Sequence, residues 1–168
     1  TGRFVDAFER ATQHFARTDF SRELQTFWRS RHVDKPEIRS NIFVAELRFT
    51  GDMPTLTADF IHVAQLSLLG NDALKMSDGF LSGFRRLQAL ELRTFALGRV
   101  PPALKRMPTL KSLVLSSCGI VFDAEGQAAL SSLSRLRALD LHNNPLVEVP
   151  DVSALPEMMF LDLSKTSI

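Results

Sequence analysis

Leu136-Arg-Ala-Leu-Asp-Leu-His-Asn-Asn-Pro-Leu146 decides the fold. It meets the leucine-rich-repeat pattern L-x-x-L-x-L-x-x-N-x-L at every fixed position. The pattern has a physical reading. Leu136, Leu139, Leu141 and Leu146 point inward from a short strand and the turn that follows. Asn144 is placed to bond the backbone groups which that turn leaves unpaired. One such unit cannot bury its own apolar side, so copies must stack on both flanks.

The copies lie on either side. Upstream, Leu110-Lys-Ser-Leu-Val-Leu-Ser-Ser-Cys-Gly-Ile120 puts Cys118 at the asparagine position, and Leu87-Gln-Ala-Leu-Glu-Leu-Arg-Thr-Phe-Ala-Leu97 puts Phe95 there. Weaker copies span residues 63–73, with Leu66, Leu68 and Asn71 in frame, and residues 44–54, with Leu47 and Phe49. Downstream, residues 158–168 supply Leu161, Leu163, Thr166 and Ile168. Successive copies start 19, 24, 23, 26 and 22 residues apart, mostly within the roughly 20–29 of this repeat class. The expected architecture over residues 42–168 is therefore an α/β leucine-rich-repeat solenoid. It has about six repeats and a parallel sheet on its concave side. The array reads as cut short after Ile168, where Leu161 and Leu163 have no further repeat to stack against.

Residues 1–41 carry no repeat and read as an N-terminal helical cap. Phe4, Phe8, Ala11 and Phe15 recur at spacings of three and four, the mark of one helical face. A second helix begins after Thr18-Asp19 and carries Phe20, Leu24, Phe27 and Trp28 as its stripe. Asp34-Lys-Pro-Glu37 has capping-box spacing with an early proline, which predicts a short third helix to about Asn41. Among the return segments, residues 78–84 and 101–107 suit single helical turns. Residues 123–133 suit a true helix capped by Asp123, and residues 150–156 are proline-bounded and suit an extended crossing.

Composition narrows the function. Twenty Lys and Arg against 19 Asp and Glu give a net charge of +1, which argues against the basic surface that nucleic-acid binding needs. No apolar run approaches the roughly 18 residues of a membrane span. The first residues lack the apolar stretch and cleavage site of a signal peptide. The single cysteine forbids an internal disulfide and a multi-cysteine metal site. His14, His32, His62 and His142 are scattered along the chain with no partner at ligand spacing, so no metal or other cofactor is expected. Cys118 sits at a turn position that takes a small buried residue, which makes it structural. The chain reads as non-catalytic.

What remains is a surface. The non-leucine positions of each strand face the concave side, and one row across the copies reads Arg48, Ser67, Glu91, Val114, Asp140, Asp162. The adjoining row reads Thr50, Leu69, Arg93, Ser116, His142, Ser164, and a third reads Glu46, Gln65, Ala89, Ser112, Ala138, Phe160. Mixed charge, acidic toward the C-terminal half and with apolar residues interspersed, suits recognition of a protein by a preformed scaffold. The candidate contact residues are Arg48, Glu91, Arg93, Asp140, His142 and Asp162.

The repeats resemble those of large effector-like proteins of host-associated bacteria that carry a NEL-type ubiquitin ligase domain. The similarity lies in Asp123-Ala-Glu-Gly-Gln-Ala-Ala-Leu130, in Leu136 to Leu146, in Pro150-Asp-Val-Ser153 and in Leu161-Asp-Leu-Ser-Lys-Thr-Ser-Ile168. The resemblance implies that residues 42–168 recruit a protein partner, a host protein included, or serve as a spacer or autoinhibitory region for a ligase. The ligase's catalytic cysteine belongs to a domain downstream of such repeats, so Cys118 does not take that role. It also implies export or translocation into host cells by a route not encoded at this N-terminus.

Overall fold

The computed structural model describes residues 33–39, 41–48, 50–53, 55, 61 and 63–168. The helices expected over residues 1–32 lie outside this set. Six short strands run parallel in one sheet: β2 (Ile42–Leu47), β4 (Gln65–Leu69), β6 (Ala89–Arg93), β7 (Ser112–Ser116), β8 (Ala138–Asp140) and β9 (Phe160–Asp162). Each pairs with the equivalent strand of the next copy. Leu66 faces Leu90, Leu90 faces Leu113, Leu113 faces Leu139 and Leu139 faces Leu161. A parallel pair cannot be joined by a tight hairpin, so every strand must be followed by a crossing segment, which is what the repeat length provides. The result is a leucine-rich-repeat-like α/β fold.

Alternation along the strands sets the two faces. Leu66, Leu68, Leu90, Leu92, Leu113, Leu115, Leu139 and Leu141 are buried, and the residues between them are wholly or partly open. Each such leucine contributes about 1.5–3 kcal/mol by leaving water. The return segments close the other side of this core. α1 (Asp78–Leu81) is capped by Ser77, whose Oγ accepts the Phe80 N–H at 3.3 Å, and it buries Phe80 and Leu81. A 3₁₀ turn (Pro102–Arg106) buries Ala103 and Leu104. α2 (Ala124–Ser131) is capped by Asp123, whose Oδ1 accepts the Gly126 N–H at 2.7 Å. Residues 150–156 cross without a helix. A second, two-stranded sheet pairs β3 (Gly51–Asp52) with β5 (Leu74–Lys75).

The turns after the strands repeat as well. Thr94, Ser117, Asn143 and Lys165 each adopt φ near +55° one residue before the asparagine position, a region that L-residues enter at some cost. Asn144 offsets that cost. Its buried Oδ1 accepts the N–H groups of Cys118 and Ile120, both at 3.0 Å. Its Nδ2 donates to the carbonyls of Leu115, at 2.6 Å, and Leu141, at 2.8 Å. Cys118 is buried at the equivalent position one copy earlier, with Sγ 3.2 Å from the Ser116 carbonyl and 3.4 Å from that of Leu92. Burial pushes its thiol from 9.0 up to about 11, so it is a packing residue and not a nucleophile.

Two expectations are corrected. The segment predicted as a third helix is a strand, β1 (Val33–Arg39), antiparallel to β2 at the edge of the sheet. Its register shifts between Asp34 and Glu37, the stretch that holds Pro36. Proline has no N–H to donate, and an edge strand or a bulge is where a sheet tolerates that lack. The first copy is also framed four residues earlier than its leucines suggest. Phe43 pairs with Leu66 and Ala45 with Leu68, so the step to the next copy is 23 residues and not 19. Phe43, Ala45 and Leu47 are all buried, so the non-leucine residues Phe43 and Ala45 take the two inward positions assigned to Leu47 and Phe49.

Candidate functional site

The outward face of the sheet is built by the same alternation that buries the leucines. Backbone pairing places Val44, Ser67, Glu91, Val114, Asp140 and Asp162 in one row across it. Arg48 drops out of that row, because the four-residue shift of the first copy puts Val44 in its place. The shift is even, so it keeps the inward and outward sides of the strand as they were. Arg48 lies just past the end of β2, exposed, with its Nε 3.6 Å from Glu46 Oε1. Glu46 itself stands in register with Leu69, and Leu69 with Arg93.

Two clusters form on this face. In the first, Arg93 Nε donates to Glu91 Oε1 at 2.6 Å, and Arg93 Nη1 donates to Ser116 Oγ at 3.1 Å on the neighbouring strand. These charges border a shallow groove of about 310 Å³, which is also lined by Val44, Ser67 and Leu69. Leu69 is 40% exposed, an apolar side chain beside an ion pair. Both partners of that pair are more than a third exposed, so it orients the guanidinium more than it stabilises the fold.

The second cluster is at the other end of the row. Asp140 Oδ1 accepts the backbone N–H of His142 at 3.0 Å and lies 2.6 Å from His142 Nδ1. Asp162 is the register partner of Asp140 on β9. Its Oδ1 accepts the Ser164 N–H at 2.8 Å. Hydrogen bonds from the Ser164 side chain and backbone, with a smaller contribution from the charge of His142, hold the Asp162 carboxyl below the usual carboxylate range. The donor atoms of Asp140, His142 and Asp162 all lie within 4.8 Å of one another.

Of the six candidate residues, the structure thus brings Glu91 to Arg93 and gathers Asp140, His142 and Asp162. It leaves Arg48 beside Glu46. The expectation that His142 lacks ligand-type neighbours is corrected by this geometry. Its neighbours come partly from the next strand, 20 positions along the chain, where a search for closely spaced ligands does not look. The signal that could have found them was the repeat alignment itself, which sets Asp140 beside Asp162. Cys118, expected as a structural residue, lies inside the core. Among the described residues no helix is long and apolar enough to cross a membrane.

No protein-family model and no curated protein sequence matches the chain. Solved structures do resemble it. The crystal structure of Listeria monocytogenes InlP is similar at 21% identity and a TM-score of 0.45, over 72% of this chain and 43% of that one. An internalin (inlF) from Listeria monocytogenes is similar at 15% identity and a TM-score of 0.44, over 65% of this chain and 39% of that one. The chain therefore spans less than half the length of either structure.

Proposed function

We propose that this chain is a non-catalytic protein–protein interaction module whose contact residues are Arg48, Glu91, Arg93, Asp140, His142 and Asp162. One observation carries the reading: charged and apolar side chains share a single sheet face whose backbone is locked by hydrogen bonds from strand to strand. Leu69 and Phe160, 40% and 56% exposed, stand on that face among the charges. A partner would meet a preorganised surface and lose little free energy in ordering it. The repeat reading further makes the array a solenoid with a concave binding side, closed at its N-terminal end by helices. The resemblance of the repeats to those of bacterial effector-like proteins supports placing the module in a larger bacterial protein that acts on a host protein. In that setting a ligase domain would lie outside this chain.

The test is to capture a partner from host-cell lysate on the immobilised chain and then to measure the purified pair. Glu91→Lys and Asp140→Lys should slow association and change its salt dependence, as charge-guided encounter requires, and Cys118→Ser should bind like the parent. Parent-like binding by both reversals, with loss of binding on charge removal at Arg22 or Arg29, would move the recognition element to the N-terminal segment.

A further inference from the structure

We propose that Asp140, His142 and Asp162 form a binding site for a divalent transition-metal ion of the zinc type on the outward face of the sheet. One imidazole and two carboxylates are a donor set that zinc accepts, and such three-residue sites keep a fourth position open for water or another ligand. Calcium and magnesium are poorer matches, since calcium takes about six to eight oxygen ligands and magnesium keeps an octahedral shell of oxygens.

The geometry is close to what coordination needs. Ligand atoms about 2.1 Å from a tetrahedral ion lie about 3.4 Å from one another. His142 Nδ1 and Asp140 Oδ1 are 2.6 Å apart, and the three donor atoms span no more than 4.8 Å. Coordination would open the first separation and close the others by about an ångström each. The ion would enter between the imidazole and the Asp140 carboxylate, and coordination through Nδ1 leaves the ring proton on Nε2.

The backbone beneath is fixed. Leu141 N–H donates to the Asp162 carbonyl and Asn143 N–H to the Ser164 carbonyl, both at 2.9 Å, so the two carboxylates are held on adjacent strands in register. Each is oriented by a hydrogen bond to one oxygen, from His142 N–H to Asp140 and from Ser164 N–H to Asp162. All three side chains are half-buried, which shields the site in part while leaving a path for the ion.

The proposal stands whether or not the face recognises a protein, and its test needs no partner. Zinc chloride titrated calorimetrically into the full chain, in a buffer that does not chelate, should show saturable binding of one equivalent at this site and should raise the melting temperature. Asp162→Asn changes charge with almost no change in size and keeps an oxygen for the Ser164 bond, so the variant should fold. Its affinity should fall by more than about a hundredfold, beyond the roughly 10–100-fold that outer-shell changes cause, and His142→Ala should fall as far. Circular dichroism checks that both variants are folded. Absence of saturable zinc binding by the parent would overturn the proposal. So would parent-like binding by both variants, which would assign the zinc to His14, His32 or His62. Calcium chloride binding more tightly than zinc would overturn the metal class.

Discussion

The amide of Asn144 makes five contacts to backbone groups of two successive turns, to Cys118, Ile120, Leu115, Leu141 and His142. Asn144→Ala would strand two buried N–H donors, each at about 1–3 kcal/mol, so urea unfolding should show a loss of at least about 2 kcal/mol. A loss below about 0.5 kcal/mol would mean that water replaces the amide. Cys118, in the same position one copy earlier, has no amide to offer; its thiol fills the space and reaches the carbonyls of Ser116 and Leu92. An unfolded thiol ionises near 9.0, whereas the folded one stays protonated up to about 11. Its contribution to stability is therefore full below pH 9 and is lost as the pH rises through about 11. The parent should lose stability against Cys118→Ser over that window, and a thiol reagent at pH 8 should label Cys118 only as fast as the chain unfolds. Asn144 was legible because it completes a full template. The αL conformation of the residue before it was not, since Thr94, Ser117, Asn143 and Lys165 share no side-chain chemistry.

At the scale of elements, legibility followed how completely each copy meets the pattern. β6 and β7 carry leucine at both inward positions, β8 carries Leu139 with Leu141 just past its end, and all three pair as their alignment requires. β2 carries Phe43 and Ala45 there, and the nearby Leu47 and Phe49 mimic the motif four residues late. β1 failed for a different reason. The Asp34–Glu37 spacing and Pro36 satisfy a helix start, but the neighbouring edge of β2 offers backbone groups that only a strand can pair. Local preference gave way to tertiary pairing. Gly70 shows the reverse, a local requirement imposed by packing. A Cβ there would lie 2.8 Å from Phe95 Cε1 and 2.9 Å from the Thr94 carbonyl oxygen. Phe95 is buried and the carbonyl is backbone, so neither yields easily. Gly70→Ala should therefore lower stability by about 1–3 kcal/mol, the usual cost of overpacking. Thermal melts of the variant against the parent decide this.

For the whole molecule, the sheet order matters more than any one strand. Within the parallel part, each strand pairs only with the copy before it and the copy after it. Coupling between distant copies must then pass through those between, as in other repeat arrays. The outward face inherits this arrangement: the Glu91–Arg93 pair and the Asp140–His142–Asp162 group sit on different strands and can be perturbed separately. Leu139 provides the test, because it is fully buried and lies between Leu113 and Leu161. Leu139→Ala should cost about 2–5 kcal/mol. If stability is a sum of nearest-neighbour terms, hydrogen exchange should speed up in β7, β8 and β9 by a far larger factor than in β2 and β4. The metal-ligating group would be loosened with β8, whereas the groove at Leu69 would keep its protection. Equal acceleration in all six strands would instead show that the sheet opens as one cooperative unit, so that a partner bound at either cluster would stabilise the other.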